Sequence, residues 1–227
     1  MGRPLSQWFP ESVSTYGGDI DGLFYLIFWI VGVWFVLTEA ALLYFVFRYR
    51  RRPGAAAQYV AGDTATQAAW VLVPAAIVLL LDLAIDFAGG RVWATVKEQV
   101  PATATEVRVV AKQFNWEFIY PGPDGRFGTA DDLTLDNDLQ VPVNTDVRAR
   151  LESKDVLHSF FIPNVRLKQD VVPGREINVW FNVTKAGTYE IACAELCGFG
   201  HYTMRGRLVA LAPAEYRAWV EKQWPGS

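Results

Sequence analysis

The feature that most limits the possible folds is a pair of long, almost uncharged apolar stretches near the start of the chain. The first stretch, residues 23–47, has one charged side chain, Glu39, among its 25 residues. The second covers residues 68–87. At about 1.5 Å rise per residue, helices of this length match the roughly 30 Å hydrocarbon core of a bilayer. The first is apolar on all sides, which disfavours a buried helix of a soluble protein. We therefore predict transmembrane helices at 23–47 and 68–90, in contact with membrane lipid.

Basic residues predict how these helices are oriented. The segment between them, residues 48–67, begins with a run of arginines: Arg48, Arg50, Arg51 and Arg52. Such loops stay on the cytoplasmic side of a membrane. Residues 1–22, which lack the pattern of a signal peptide, are then an exported arm. Residues 91–227 form an exported domain, and the chain is predicted to be an integral protein of a bacterial plasma membrane.

Two aspartates lie near the end of the second stretch. Asp82 and Asp86 are four residues apart and therefore lie on one face of a helix. Carboxylates in a membrane helix face protein or the interface rather than lipid tails. We expect them to make polar contacts with a partner subunit, and a proton-relay role is the alternative.

The remainder of the chain has the pattern of an all-β domain. Residues 175–184 place Ile177, Val179 and Phe181 on one face, with Asn178, Trp180 and Asn182 on the other. Several such short segments separated by Pro and Gly predict a β-sandwich, and the tail at 213–224 predicts one amphipathic helix. Residues 121–140 are rich in Asp and Gly, so a calcium loop is an alternative to a solvated hairpin there. They lack the ligand order of an EF-hand.

The scarce residue types are concentrated in one region. The chain contains two Cys, two His and two Met, with a net charge of −3. Apart from Met1, all of them lie between His158 and Met204. The charge balance gives no basic surface for nucleic acid, and two cysteines are too few for a disulfide scaffold. This clustering favours a metal site.

The segment CAELCGFGHYTM carries the chemistry. Cys193, Cys197, His201 and Met204 lie within 12 residues, and His158 lies 35 residues before Cys193. Soft sulfur donors together with imidazole favour copper, whereas structural zinc has no need of Met. Two thiolates can bridge two copper ions, each with one His; Met204 and a backbone carbonyl such as that of Glu195 complete the set. A disulfide or a mononuclear blue-copper site are the alternatives.

The chain resembles subunit II of the haem-copper oxidases over about residues 22–220. The resemblance rests on the Cys-rich segment, on DVLHSFFIP and LKQDVVPGR, and on the paired spans. It implies a two-helix transmembrane hairpin followed by a cupredoxin-like sandwich that holds the binuclear copper centre called CuA. The implied copper ligands are His158, Cys193, the Glu195 carbonyl, Cys197, His201 and Met204. The Glu195 carboxylate would also reach a magnesium ion at the interface with subunit I.

The same resemblance implies the role of an oxidoreductase subunit. Cytochrome c would dock on acidic residues, for which Glu152, Asp155, Asp170 and Glu190 are the candidates. Electrons would arrive near Phe114 and Trp116 and pass to haem in subunit I. Phe114 stands where many members have Trp, and Gln67 where many have Glu at a proton path. The chain has no CxxCH, so no haem is expected on it.

Other functions fit the pattern less well. Quinol-oxidising relatives have lost the copper ligands, which are all present here. Nitrous oxide reductase needs a second, His-rich cluster, but this chain has two His. A membrane-anchored copper carrier for oxidase assembly is the main alternative, although carriers use open sites with fewer ligands. The last alternative is a structural anchor with a disulfide.

Overall fold

A computed structural model describes residues 9–102 and 104–226. The chain divides into two compact units, a helical unit at Asp19–Trp93 and a second unit formed by Met1–Gly18 with Ala94–Ser227. The predicted fold class, two apolar helices followed by a cupredoxin-like β-sandwich, is confirmed. The first eight residues of the predicted arm lie outside the described residues.

The helical unit consists of two long helices. Helix α1 is Gly17–Arg48 and α2 is Ala65–Trp93, followed by a π-helical turn at Ala94–Glu98. Both are long and apolar enough to cross a membrane, and their apolar segments are not buried within the chain. Pro74 lies inside α2. Glu39 of α1 and Asp82 of α2 line one groove of about 470 Å³ between the helices.

The second unit, which we call the β-unit, contains ten strands in two sheets within its described residues. The strands are β1 Thr105–Lys112, β2 Asn115–Tyr120, β3 Leu133–Asp136, β4 Asp138–Pro142, β5 Asp146–Ser153, β6 His158–Ile162, β7 Leu167–Val171, β8 Ile177–Asn182, β9 Gly187–Cys193 and β10 Arg205–Leu211. One sheet has the order β3-β2-β1-β5-β8 and the other the order β4-β10-β9-β6-β7. The β1–β5 and β10–β4 pairs are parallel, and the other neighbours are antiparallel.

The core lies between the two sheets. In β5, Val147, Ala149 and Leu151 are buried while the residues between them face outward, as strand alternation requires. Trp116 of β2 packs edge-on against Phe160 of β6, with ring centroids 5.2 Å apart. Aromatic pairs of this kind contribute about 0.5–1.5 kcal/mol beyond area burial. This contact fixes the facing sheets next to the Cys-rich segment.

The segment before α1 is part of the β-unit. Ser14 forms a β-bridge with Val183, and the Val13 carbonyl accepts the Thr184 N–H at 2.7 Å. Val13 and Tyr16 are almost fully buried. The Tyr16 hydroxyl donates to the Trp180 carbonyl at 3.1 Å, so the arm packs on the sandwich.

The chain closes with helix α3, Pro213–Gln223. Pro213 occupies its first turn, and the Glu215 carboxylate accepts the Ala212 N–H at 3.1 Å. Trp219 packs against Tyr120 of β2, with ring centroids 5.3 Å apart. The apolar side of the helix therefore covers the sheet.

Candidate metal centre

Strand pairing brings the distant histidine to the Cys-rich segment. His158 is the first residue of β6 and Cys193 the last of β9, and these strands pair with Phe160 opposite Cys193. The Cys193 N–H donates to the Met204 carbonyl at 3.1 Å, which ties the end of β9 to the start of β10. Residues 194–203 therefore form a loop whose two ends are anchored on neighbouring strands. We call residues 193–204 the donor loop.

All the predicted donor atoms lie close together in one cluster. The two sulfur atoms, Cys193 Sγ and Cys197 Sγ, are 3.8 Å apart. His158 Nδ1 lies 3.8 Å from Cys193 Sγ, and His201 Nδ1 lies 3.5 Å from Cys197 Sγ. The remaining two donors follow the same arrangement: Met204 Sδ is 3.8 Å from Cys197 Sγ, and the Glu195 carbonyl is 3.2 Å from Cys193 Sγ.

The cluster is shielded from water. His158 and Met204 are at most 1% exposed, and both cysteines are also buried. His201 is half-buried, so it is the most exposed of the five side chains. Such enclosure, with sulfur and imidazole donors, suits a tightly held copper ion.

The cysteines are not joined to each other. Their sulfur separation of 3.8 Å is far longer than the roughly 2.05 Å of a disulfide, and both are free. Within the described residues, the one group of three or more His, Cys, Asp or Glu ligand atoms close enough to hold a metal is His158, Cys193 and Cys197. The donor set therefore fits a thiolate-rich metal centre. The aspartates of residues 121–140 form no such group.

Asp155 orients the imidazole of His158. Its Oδ1 lies 2.8 Å from His158 Nε2. Because a carboxylate only accepts hydrogen bonds, Nε2 carries a proton, and Nδ1 is the ring nitrogen that faces Cys193. Burial opposes ionisation of Asp155, but hydrogen bonds from His158 and from backbone N–H groups outweigh it and lower its pKa.

The two thiols differ in acidity. Burial raises the pKa of Cys193, but its hydrogen bond with His158 and its backbone contacts outweigh burial and lower the pKa to about 6. Burial and the charge of Cys193 together raise the pKa of Cys197 to about 11. The first thiolate therefore forms readily, and the second needs a compensating positive charge, which a bound metal supplies.

The two aromatic residues predicted for electron entry both lie next to the cluster. Trp116 is fully buried, with its ring centroid 6.1 Å from that of His158. Phe114 is half-buried under the donor loop: a Cβ added to Gly200 would lie 2.5 Å from Phe114 Cδ2. Trp116 is therefore a core residue beside a donor, and Phe114 is the more peripheral of the two.

The four predicted docking carboxylates already have contacts within the chain. Glu152 of β5 makes a bidentate pair with Arg108, and Glu190 of β9 pairs with Arg205 at 3.1 Å. Asp170 of β7 lies 3.7 Å from Lys168. Asp155 accepts the hydrogen bond from His158 Nε2 described above. Each carboxylate thus has a partner within the chain.

One contact of the centre was missed at the sequence level. Gln113 donates from Nε2 to the Cys197 carbonyl at 2.6 Å and from its backbone N–H to Asp155 Oδ2 at 2.6 Å. Nothing in the local pattern around Gln113 signals this role. The Asp-x-x-His spacing of Asp155 and His158 is, in contrast, a signal that can be read from the sequence.

Comparison with known proteins gives one consistent result. The family model described as cytochrome c oxidase subunit II, periplasmic domain, matches residues 105–210. The alternative cytochrome c oxidase subunit 2 of Bradyrhizobium diazoefficiens is 33% identical over 241 residues, covering 96% of this chain and 85% of that protein. Cytochrome c oxidase subunit 2 of Thermostichus vulcanus is 29% identical over 260 residues, covering 92% and 76%.

Among solved structures, one similar chain is the periplasmic domain of subunit II of cytochrome oxidase from Bradyrhizobium japonicum. It is 30% identical, with a TM-score of 0.49, and the match covers 55% of this chain and 96% of that domain.

Proposed function

This chain belongs to the cytochrome c oxidase subunit 2 family, and from that membership we propose that it accepts single electrons from cytochrome c at a binuclear copper centre and passes them to haem in subunit I of a terminal oxidase. The observation that carries the proposal is the pair of unlinked, buried cysteines 3.8 Å apart, each with an imidazole nitrogen beside it. A centre of that composition has no use in a purely structural anchor.

The proposed copper pair would be held by the thiolates of Cys193 and Cys197, the imidazoles of His158 and His201, and the weaker donors Met204 Sδ and the Glu195 carbonyl. Two copper ions held there would supply a one-electron acceptor. The chain's own residues position these ligands and exclude water. Paired strands fix both ends of the donor loop, Asp155 holds the His158 tautomer, and burial excludes water.

We also propose a magnesium ion at the interface with subunit I, bound by the Glu195 carboxylate. The support is the resemblance of the donor loop, together with the position of Glu195 between the two cysteines. Its carbonyl faces Cys193 Sγ, so one residue would connect both metals.

The proposed location is a bacterial plasma membrane, with the β-unit and the N-terminal arm outside the cytoplasm. Arginines after α1 favour a cytoplasmic loop. The bridge between Ser14 and Val183 supports the same topology, because it requires the segment before α1 and the β-unit to share one side of the membrane. Lipid then surrounds the exposed apolar faces of α1 and α2.

The copper-carrier alternative has less support. A carrier must release its metal to another protein, which requires ligands that water or a partner can reach. Here His158 and Met204 are at most 1% exposed. No observation favours exchange over retention.

The test is metal counting with visible and paramagnetic resonance spectra on the complete chain purified with its oxidase. We expect about two copper ions per chain in addition to the copper of the haem-copper site in subunit I, and a mixed-valence signal, which Cys197→Ser abolishes because one bridge is lost. Thr188→Ala, on the exposed part of β9, is the matched control. One blue copper per chain, or cysteines that resist thiol reagents because they are joined, would contradict the proposal.

A further inference from the structure

A cavity of about 370 Å³ lies between α3 and the ends of β1 and β2 in the β-unit. It is remote from the copper ligands. Thr105 and Glu106, at the start of β1, line the cavity, whereas Gln113, which binds the donor loop, follows the end of that strand. At about 3.3 Å per residue the two places are roughly 25 Å apart. The volume of the cavity lies within the range of small-molecule pockets, about 300–1,000 Å³.

The wall of the cavity is mainly aromatic. Tyr120, at the end of β2, forms part of one side, and Tyr216, Val220 and Trp224 form the other. The last three are spaced four residues apart, so they follow one face of α3 and its C-terminal end. Residues 121–123, which include two prolines, complete this part of the lining. A ligand would therefore meet aromatic rings from the sheet and from the helix.

The rings are held in place by contacts outside the cavity. Trp219 packs against all three of them, with ring centroids 5.3 Å from Tyr120, 5.4 Å from Tyr216 and 6.2 Å from Trp224. The Tyr120 hydroxyl also donates to a backbone carbonyl of β4 at 3.0 Å, and Trp224 Nε1 donates to the Asp131 carbonyl at 2.8 Å. Rings fixed in this way lose little conformational freedom when a ligand binds.

Two carboxylates lie at the cavity. Glu106 lines it and stays 35% exposed, although its Oε1 pairs with Arg148 at 3.0 Å. The Asp131 carboxylate lies directly behind Gly122, where a Cβ added to the glycine would collide with it. A hydrogen bond from the Thr129 hydroxyl lowers the pKa of Asp131, so this carboxylate is charged at neutral pH. None of the described residues that line the cavity is basic.

Aromatic rings and carboxylates together select one class of ligand. The negative face of a ring attracts a cation, and methylated ammonium groups are the cations that aromatic cages recognise. A metal cation such as Ca²⁺ needs six to eight oxygen ligands, which a mainly aromatic lining does not supply. An anion would be repelled by the carboxylates, and an uncharged apolar ligand would gain nothing from them.

We propose that this cavity binds a quaternary ammonium group, either of a free solute such as choline or of a phosphatidylcholine headgroup. The methylated nitrogen contacts the rings of Tyr216 and Trp224, with Glu106 as its counter-charge. Within the described residues the Tyr216 hydroxyl makes no hydrogen bond, and burial raises its pKa, so it remains a neutral partner for an oxygen of the ligand. The site does not depend on the copper centre, so either can fail without the other.

The experiment uses the complete oxidase in a detergent without quaternary ammonium groups, with choline as the probe. Saturation-transfer NMR of the N-methyl protons measures its binding. The comparison compound is the uncharged isostere in which a carbon atom replaces the nitrogen. We expect a dissociation constant on the order of 1 mM for choline and about tenfold weaker binding of the isostere. Equal binding of the two compounds, or no binding of choline, overturns the proposal without the need for any variant.

Variants test whether this cavity is where the cation binds. Tyr216→Ala should weaken choline binding about threefold to fivefold, the value of one cation–π contact, and Tyr216→Phe should restore most of the loss because the ring returns. Glu106→Gln should weaken it about twofold, because the carboxylate is partly exposed. Tyr189→Ala and Glu190→Gln, both on β9, are the matched controls and should bind choline like the wild type. Wild-type affinity in both Tyr216→Ala and Glu106→Gln overturns the assignment to this cavity.

Two membrane preparations distinguish the sources of the ammonium group. If the lipid headgroup occupies the cavity, added choline binds more weakly to the oxidase in phosphatidylcholine nanodiscs than in phosphatidylglycerol nanodiscs. Equal affinity in the two preparations supports a site for a free solute. The paramagnetic copper spectrum is recorded alongside and should not change with choline. A missing copper spectrum together with normal choline binding therefore contradicts the proposed function alone.

Discussion

Gln113 Nε2 donates to the carbonyl of Cys197 at 2.6 Å, and this bond joins the β1–β2 turn to the middle of the donor loop. The backbone N–H of Gln113 also donates to Asp155, whose other oxygen contacts His158. One residue thus links the histidine of β6 with the cysteine of the donor loop. Two parts of the centre that are far apart in sequence are held in register through it.

Gln113→Met removes the donor while keeping the length of the side chain. We expect copper affinity to fall about five- to tenfold, since one hydrogen bond of about 1 kcal/mol no longer restrains the loop. Competition with a copper chelator measures the affinity, and the paramagnetic spectrum reports whether the centre becomes heterogeneous. Asn115→Ala, which removes an exposed hydrogen bond to Asp136 in the same region, is the control and leaves both unchanged. Equal effects of the two variants would argue against a specific tether.

Asp155→Ala leaves the Nε2–H of His158 without its carboxylate. Loss of a partner that orients a metal-bound histidine typically reduces metal affinity about 10–100-fold, and we expect a reduction in that range. Asp155→Asn keeps an oxygen acceptor and is expected to lie between Ala and the wild type. Chelator competition on the purified oxidase provides the measurement, with Asp170→Ala as control because its pair with Lys168 is exposed. An unchanged affinity in Asp155→Ala would show that Nδ1 needs no such orientation.

Tyr16→Ala tests whether the N-terminal arm contributes to the stability of the sandwich. The ring is 2% exposed and packs edge-on against Trp180 at 5.3 Å. Removing a buried aromatic costs about 3–5 kcal/mol, so the denaturation midpoint of the β-unit should fall clearly. Near-ultraviolet circular dichroism in a denaturant titration follows the transition. Tyr189→Ala, whose hydroxyl bonds an exposed carbonyl, should have a much smaller effect.

Glu117 predicts a pH dependence of stability. Its hydrogen bonds from Lys112 and Lys154 lower its pKa, in spite of partial burial. A lowered folded-state pKa adds stability that is complete above the ordinary Glu pKa and is lost as the pH falls through the folded value. Glu117→Gln should therefore destabilise the β-unit by about 0.5–1 kcal/mol at neutral pH and by less in acid.

Denaturant titrations at several pH values check this prediction. Glu190→Gln, which breaks the more exposed pair with Arg205, should show little change at any pH. A destabilisation by Glu117→Gln that stays constant into the acid range would point to lost packing rather than lost charge.

The fold class could be predicted because its signals are local. The apolar stretches of α1 and α2 need no partner to be recognised, and the alternation of Val147, Ala149 and Leu151 with arginines in β5 reflects one buried face. The donor loop could also be predicted from the sequence, since Cys193, Cys197, His201 and Met204 all lie within 12 residues. Residue type alone indicated the chemistry, because sulfur and imidazole together select soft metals.

Contacts between distant segments could not be predicted in this way. Pairing of β6 with β9 determines where His158 lies relative to Cys193, and packing of Phe114 under Gly200 determines that Phe199 faces solvent. Nothing near Gln113 indicates its bond to Cys197, and nothing near Glu152 indicates its bond to Arg108 on another strand. These roles depend on strand order and register.

The sequence by itself therefore determined which elements form and which donor atoms are present, because periodicity and side-chain chemistry belong to each segment separately. Only the tertiary structure decided which of these groups meet. The predicted docking carboxylates make ion pairs or hydrogen bonds within the chain, and exposed apolar residues lie in the donor loop. Such pairings depend on how two sheets pack and on which strands become neighbours, and no single segment carries that information.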